Sequence, residues 1–213
     1  MRRVAAQLGA GTMTLYHYVA TKDELLALVH DAIMAELVID EGELPHGWRD
    51  GMREIAQRTC AAFVDHPWIA DAPRPAHGGP NGTLHAEQSL AVMARTGLPA
   101  TECLELTALV DDYVFGYVRR YNAMRATVGN DAAKAVREHR ESFVERIAEL
   151  DPETFPHLHA LFTDGDPANQ AAQFVERVVD PRRFERGLEI LLDGIEQRVE
   201  REQAAPKRRR RSR

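Results

Sequence analysis

The chain has 213 residues, 44% of them hydrophobic and 28% charged, and a formal net charge of −6. That supports one large domain or two small ones with a sizeable core, and it excludes a disordered chain. There is no unbroken apolar run long enough for a transmembrane helix, and the N-terminus lacks the apolar core and cleavage site of a signal peptide.

The two cysteines, Cys60 and Cys103, both fall in helical patterns and read as buried thiols of a reduced, cytoplasmic protein. The segment 207–213 carries six positive charges, which leaves −12 for the remainder. An acidic body confines any nucleic-acid contact to a small local surface.

In chain order, apolar spacing is helical nearly throughout, with no useful strand alternation and no internal repeat. Residues 2–9 form a short helix ending at Gly9, and residues 13–19 a second. Thr21 caps a third, with Asp23 and Glu24 in its positive first turn and a stripe of Leu25, Leu26, Val29, Ile33 and Leu37. Gly42, Pro45 and Gly47 mark a boundary, and a helix from about 47 to 65 follows. The stretch 71–82 holds three prolines and three glycines and reads as a loop. Residues 84–96 are helical up to Gly97-Leu98-Pro99. A long helix from about 100 to 125 carries Leu106, Leu109, Val110, Tyr113, Val114, Tyr117, Val118 and Tyr121. The region 130–148 reads as a polar helix and 153–163 as a short one at best. The last helix, about 181–203, lines up Phe184, Leu188, Leu191, Leu192, Ile195 and Val199, and a disordered tail follows.

Residues 2–19 have the form helix, tight turn, helix. Val4 and Leu8 supply one apolar face and Leu15 and Val19 the other, with small Ala5 at the crossing and Gly9-Ala10-Gly11 reversing the chain. The second helix exposes Thr12, Met13, Thr14, His17 and Tyr18, which can reach base edges and phosphates in a major groove. On spacing alone an ordinary helical hairpin fits equally well.

The residue identities separate the two readings. The run Ala5-Ala6-Gln7-Leu8-Gly9-Ala10, then Thr14-Leu15-Tyr16-His17-Tyr18-Val19, then Lys22-Asp23-Glu24-Leu25-Leu26 resembles the signature of the tetracycline-repressor family. Glu87–Ala91 to Gly97, Asp112 to Arg125 and Phe184–Glu196 resemble the central and last helices of its tetracycline-responsive branch. About 126–180 is not covered. The resemblance implies a recognition helix at 13–19 entered from Thr12. Thr12, Met13 and Thr14 then face bases, and Tyr16, Tyr18 and Lys22 hold phosphates, helped by the helix N-terminus near Thr21. His17 belongs to the same exposed set. Arg2 matches a position that reaches a guanine, and Arg3 a backbone contact.

The family's DNA-binding domain carries a helix ahead of this motif, and this sequence opens at the motif. The expectation is a mis-assigned start or a truncated chain. Val4, Leu8, Leu15 and Leu26 then lose cover, each worth roughly 1.5–3 kcal/mol when fully buried. That lost cover leaves refolding of residues 1–20 onto another surface, or disorder there, as the alternative to the helix-turn-helix.

In the body, the helices at 100–125 and 181–203 have wide apolar stripes interrupted by Gly116, Gly187 and Gly194, despite the helix cost of glycine. The resemblance implies a four-helix interface between two subunits. That suits a two-fold homodimer meeting two half-sites of a palindromic operator, the alternative being a monomer core. A ligand pocket is expected between the body helices, with Phe63, Trp68, His77, Tyr113 and Tyr117 as candidate contacts, Phe115 and Trp48 as further aromatics, and 71–82 as a lid. Simple core packing is the alternative for each aromatic. Val38 and Ile55 stand where tetracycline-binding members use a histidine and an asparagine. The expected ligand is therefore more apolar or aromatic than a magnesium-chelated drug.

No phosphate-binding loop, nucleophile elbow or zinc-protease helix is present. His157 and His159 are half a metal site without a matching partner set, and Asp111 and Asp112 point to different sides of a helix. Neither an enzyme, a cofactor, a metal nor a membrane partner is expected. The basic tail is either a salt-dependent DNA contact or a solvated end.

The sequence thus predicts an all-α protein. A helix-turn-helix domain lacking its first helix spans 1–40, a helical ligand-binding and dimerisation domain 41–203, and a basic disordered tail 204–213. Its expected function is a transcriptional repressor released from DNA by a small ligand. The alternative is a ligand-binding helical dimer without DNA activity.

Overall fold

A computed structural model describes residues 1–70, 79–128, 145–146, 149–160 and 182–204. Within them every regular element is helical: α1 (Arg2–Gln7), α2 (Thr12–Tyr18), α3 (Lys22–Leu37), α4 (Trp48–Asp65), a 3-10 turn (Pro67–Ala70), α5 (Pro80–Ala94), α6 (Ala100–Val128), α7 (Pro156–Ala160) and α8 (Arg183–Ala204). The polar helix read at 130–148 lies outside the described residues apart from Glu145 and Arg146, which are helical. Residues 71–78 of the expected loop and 205–213 of the tail also lie outside them. The chain forms two compact units, Met1–Arg119 with Leu191–Arg213, and Arg120–Ile190.

In the first unit, α1 ends where Gly9 takes a positive φ of 65°, and the Ala10 amide donates back to the Ala5 carbonyl at 2.9 Å. Only a residue without a Cβ adopts that geometry cheaply. Thr21 caps α3 by accepting from the Glu24 amide at 3.0 Å, while the Glu24 carboxylate accepts from the Ala20 amide at 2.6 Å. That reciprocal arrangement fixes the helix start within one residue of the sequence reading.

The core is built from α3, α4, α5 and α6. Ile33 and Leu37 of α3, Met52, Ile55 and Phe63 of α4, Val92 and Met93 of α5, and Cys103, Leu106, Val110, Val114 and Val118 of α6 are all buried. From α8, Leu192, Ile195 and Val199 join the buried set. Gly51 sits where α4 meets α5: a Cβ there would stand 2.9 Å from Val92 Cγ1. At the rim, Arg49 of α4 pairs with Asp193 and Glu196 of α8, and Arg198 with Glu102 of α6.

The largest departure from the sequence reading is the start of α5, which begins at Pro80 rather than near 84. Proline at the first helical position gives up no useful donor. The cap comes from elsewhere in the chain. Asp31 of α3 accepts from the amides of Asn81 and Gly82, both at 3.0 Å, and from the Asn81 side chain at 2.9 Å. A Cβ on Gly79 would lie 2.2 Å from the Asp31 carboxyl carbon, so this approach requires glycine. A second tie lies two residues beyond the end of α3. Ile39 donates its amide to Gln88 Oε1 at 3.1 Å and accepts from Gln88 Nε2 at 2.7 Å. No local sequence signal announces a helix capped by a residue fifty positions away.

In the second unit, Asp151 accepts from the Glu153 and Thr154 amides ahead of α7, and Phe184 and Leu188 of α8 are buried.

Candidate DNA-reading face and ligand cavity

The N-terminal helices present a continuous exposed surface. Arg2, Arg3, Met13, Thr14, Tyr16, His17, Tyr18 and Lys22 are exposed and Thr12 is half-buried. Met13 is 80% and Tyr18 77% exposed, which is far from what core packing would ask of either. The His17 and Tyr18 rings meet edge to face at 5.6 Å. Beneath them Ala5 and Val19 are buried, and these hold α1 against α2. The amides of Ala20 and Glu24 near the start of α3 are already taken by side chains of the cap. Val4 of α1, Leu8 at its end, and Leu28 and Val29 of α3 are exposed apolar side chains, Leu8 at 66%.

A cavity of about 310 Å³ opens between four helices. His30, Met34 and Leu37 line it from α3, Thr59 and Phe63 from α4, and Gly82, His85, Ala86, Ser89 and Leu90 from α5. Leu104, Thr107, Ala108, Asp111 and Phe115 complete it from α6. The volume lies at the lower end of the range for small-molecule sites, and the mostly apolar lining with a few polar atoms is their usual composition. Phe63 and Phe115 stack at 5.0 Å between centroids with their planes tilted by 38°.

Of the sequence-derived pocket aromatics, Phe63 and Phe115 are in this wall. Trp68, Tyr113 and Tyr117 are not among the lining residues, and His77 lies outside the described residues. Tyr113 and Tyr117 instead are half-buried on a second face of α6 with Leu109 and Gly116, on the other side of the helix from the lining residues Thr107, Asp111 and Phe115. Val38 and Ile55 do not line the cavity either.

The polar lining residues were not singled out from sequence. Thr59 donates its hydroxyl to the Ile55 carbonyl at 2.8 Å, and Ser89 to that of His85 at 2.9 Å. Among the described residues, Thr107 Oγ1 and His85 Nδ1 are buried without a hydrogen-bond partner. Burial holds the His85 pKa below its ordinary value, so the imidazole is neutral at pH 7. The available signal was a polar residue interrupting an apolar stripe: Thr107 stands between Leu106 and Val110. Among the described residues no cluster of three metal-ligating side chains occurs, and no helix is long and apolar enough to cross a membrane.

Residues 41–199 match the family described as the tetracyclin repressor-like C-terminal domain. An HTH-type transcriptional repressor, DrrR1 of Streptomyces coeruleorubidus, is 38% identical over 123 residues, covering 56% of this chain and 44% of the relative. An HTH-type transcriptional regulator of Saccharopolyspora erythraea is 32% identical over 141 residues, covering 65% of this chain and 59% of the relative. The chain thus matches about half the length of these two relatives. Among solved structures, apo ActR of Streptomyces coelicolor superposes with a TM-score of 0.68 at 25% identity, over 93% of this chain and 87% of that one. ActR in complex with actinorhodin gives 0.65 at 26% identity, with the same coverage.

Proposed function

The chain belongs to the tetracycline-repressor family of transcription regulators, and from that premise we propose that it is a cytoplasmic repressor released from DNA by a small apolar or aromatic ligand. Residues 1–40 are its reading head and 41–203 its ligand-binding and dimerisation domain. The observation that carries the reading is that α3 is shared. It follows the exposed reading helix α2 directly, and its residues His30, Met34 and Leu37 form one wall of the cavity. A ligand that prefers one placement of α3 also prefers one placement of the reading head. The coupling is reciprocal, so DNA weakens ligand binding by the factor by which ligand weakens DNA binding.

A homodimer fits the second face of α6. Leu109 is 50% exposed there, and a Cβ at Gly116 or at Gly194 of α8 would meet nothing within 4 Å among the described residues. Among the described residues these glycines serve no close approach, which supports their serving one between two copies. Two copies related by a two-fold axis would meet a palindromic operator. ActR, to which this chain is similar, has a structure in complex with actinorhodin, which supports a small-molecule ligand.

The alternative, a ligand-binding dimer without DNA activity, draws on the exposed apolar side chains Val4, Leu8, Leu28 and Val29 around the reading helices. The two readings part in one experiment: binding to the DNA flanking its own gene at two salt concentrations, with and without ligand. Specific, salt-steep binding to a two-fold-symmetric site supports the repressor. Ligand binding without specific DNA binding supports the alternative. Tight binding of a magnesium–tetracycline complex would overturn the apolar-ligand part.

A further inference from the structure

We infer that α5 carries the state of the cavity to the reading head, and that Gln88 is the positioning residue through which it does so. This rests on the reading above of α1–α3 as a DNA-reading head and of the cavity as a ligand site.

One face of α5 lines the cavity, with Gly82, His85, Ala86 and Ser89 at helical spacing. The adjacent face, about 100° round the helix, grips the segment that joins the reading head to the body. It does so at three points, taken in chain order. In the first turn of α5 the Asn81 and Gly82 amides donate to the Asp31 carboxylate of α3. Further along, Gln88 accepts from the Ile39 amide at 3.1 Å and donates to the Ile39 carbonyl at 2.7 Å. At the end of the helix Arg95 donates to the Pro45 carbonyl and, at 3.1 Å, to that of His46. Asn81, Gln88 and Arg95 follow one another at intervals of seven residues. Each interval is close to two helical turns, so the three grips lie along one line of α5.

The middle grip is the one with a single task. Asp31 also caps α5, and Gly82 beside it also lines the cavity. Gln88 is half-buried and is not among the lining residues. Its side-chain amide supplies one acceptor and one donor to the same residue, as a second backbone would. That residue, Ile39, is 2% exposed and stands two positions beyond the end of α3. α4 reaches this connector too, through Arg58 to the Val38 carbonyl at 3.4 Å and to Glu43 at 3.9 Å, both longer contacts. An occupant that presses on the lining face shifts α5 as a body, since packed helices slide more readily than they bend. The grips take Ile39 and the end of α3 with it, and α2 directly precedes α3.

The test fills the cavity from the protein itself. Thr59→Leu from α4 and Ala108→Leu from α6 each add apolar volume from a wall other than α3 or α5. Each is made in the parent chain and in Gln88→Leu, and affinity for the DNA flanking its own gene is measured for all of them at one salt concentration. In the parent, filling is expected to lower specific DNA affinity about tenfold, inside the ordinary range of coupling between sites. In Gln88→Leu the same filling is expected to change it by about threefold or less. A merely structural role for Gln88 lowers stability and leaves this ratio unmoved, because each ratio is taken within one background. If one filled variant does not melt cooperatively, the other carries the comparison. A filling effect of equal size in both backgrounds overturns the inference and leaves the repressor reading standing. Filling that does not lower specific DNA affinity in the parent overturns the inference and the coupling of cavity to reading head. Absence of specific DNA binding by the parent overturns the repressor reading and this inference together.

Discussion

The reading helices and the cavity helices are held by opposite means. Across residues 1–20 only Ala5 and Val19 are buried, and most of the side chains proposed to contact DNA are exposed. In α3, α4, α5 and α6 the packing is dense, and polar ties reach across long sequence distances, from Asp31 to Asn81 and from Ile39 to Gln88. Damage to the first region is therefore expected to appear in DNA binding with little change in stability. Damage to the second should appear in stability first and in ligand response with it.

The largest expected effect lies in the cavity wall. Phe63 is 1% exposed and stacks on Phe115. Phe63→Ala is expected to cost about 3–5 kcal/mol in denaturant unfolding, from lost burial plus the void it leaves. A cost below about 1 kcal/mol would mean that the four helices are not packed as described.

Next comes the tie between α3 and α5. Asp31→Ala removes the acceptor for two helix N-terminal amides and for the Asn81 side chain. The expected loss is about 2 kcal/mol, above that of an ordinary cap because the site is buried. Gly79→Ala reaches the same tie from the other side, since its Cβ would collide with the Asp31 carboxylate. The two losses should therefore not add, and a double-mutant cycle measures this. Full additivity would show that Gly79 serves something other than Asp31.

These two regions also differed in how far they could be read from sequence. The helix-turn-helix was legible because its parts are consecutive: the Gly9 turn, the Thr21 cap and the exposed run from Thr12 to Tyr18 all lie within one short stretch. The helical class followed from periodicity for the same reason. The cavity was less legible, because its wall combines residues from His30 to Phe115 and only packing decides which face of each helix contributes. Aromatic content pointed to Phe63 and also to Tyr113 and Tyr117, which lie on another face of α6. The first turn of α5 read as loop because its cap is tertiary.

A smaller effect follows from His85. Its folded pKa is lowered by burial, whereas the unfolded imidazole titrates near its ordinary value of 6.5. Between the two the unfolded state binds more protons. The contribution is complete above about pH 6.5 and is lost as pH falls toward the folded value. His85→Gln should therefore flatten part of the acid limb of the stability–pH profile, measured against the parent chain. His30 and Asp111 line the same cavity and are unchanged in the variant, so the difference between the curves reports on His85. Superimposable profiles would show that the imidazole is solvated in solution.

The smallest effect on stability should come from the reading face. Met13→Ala removes a side chain that is 80% exposed and touches no core, so its effect on unfolding should stay within about 0.5 kcal/mol. If Met13 lies against base edges, operator affinity should fall by about 1 kcal/mol or more, with discrimination between sites weakened and the salt slope unchanged, because no phosphate contact is lost. Lys22→Ala should do the reverse, weakening all sequences alike and reducing the salt slope by about one. If Met13→Ala instead destabilises the chain, then Met13 is packed in solution against something other than DNA. The opposition between an outward-facing reading head and an inward-facing cavity would then fail at the residue where it is sharpest.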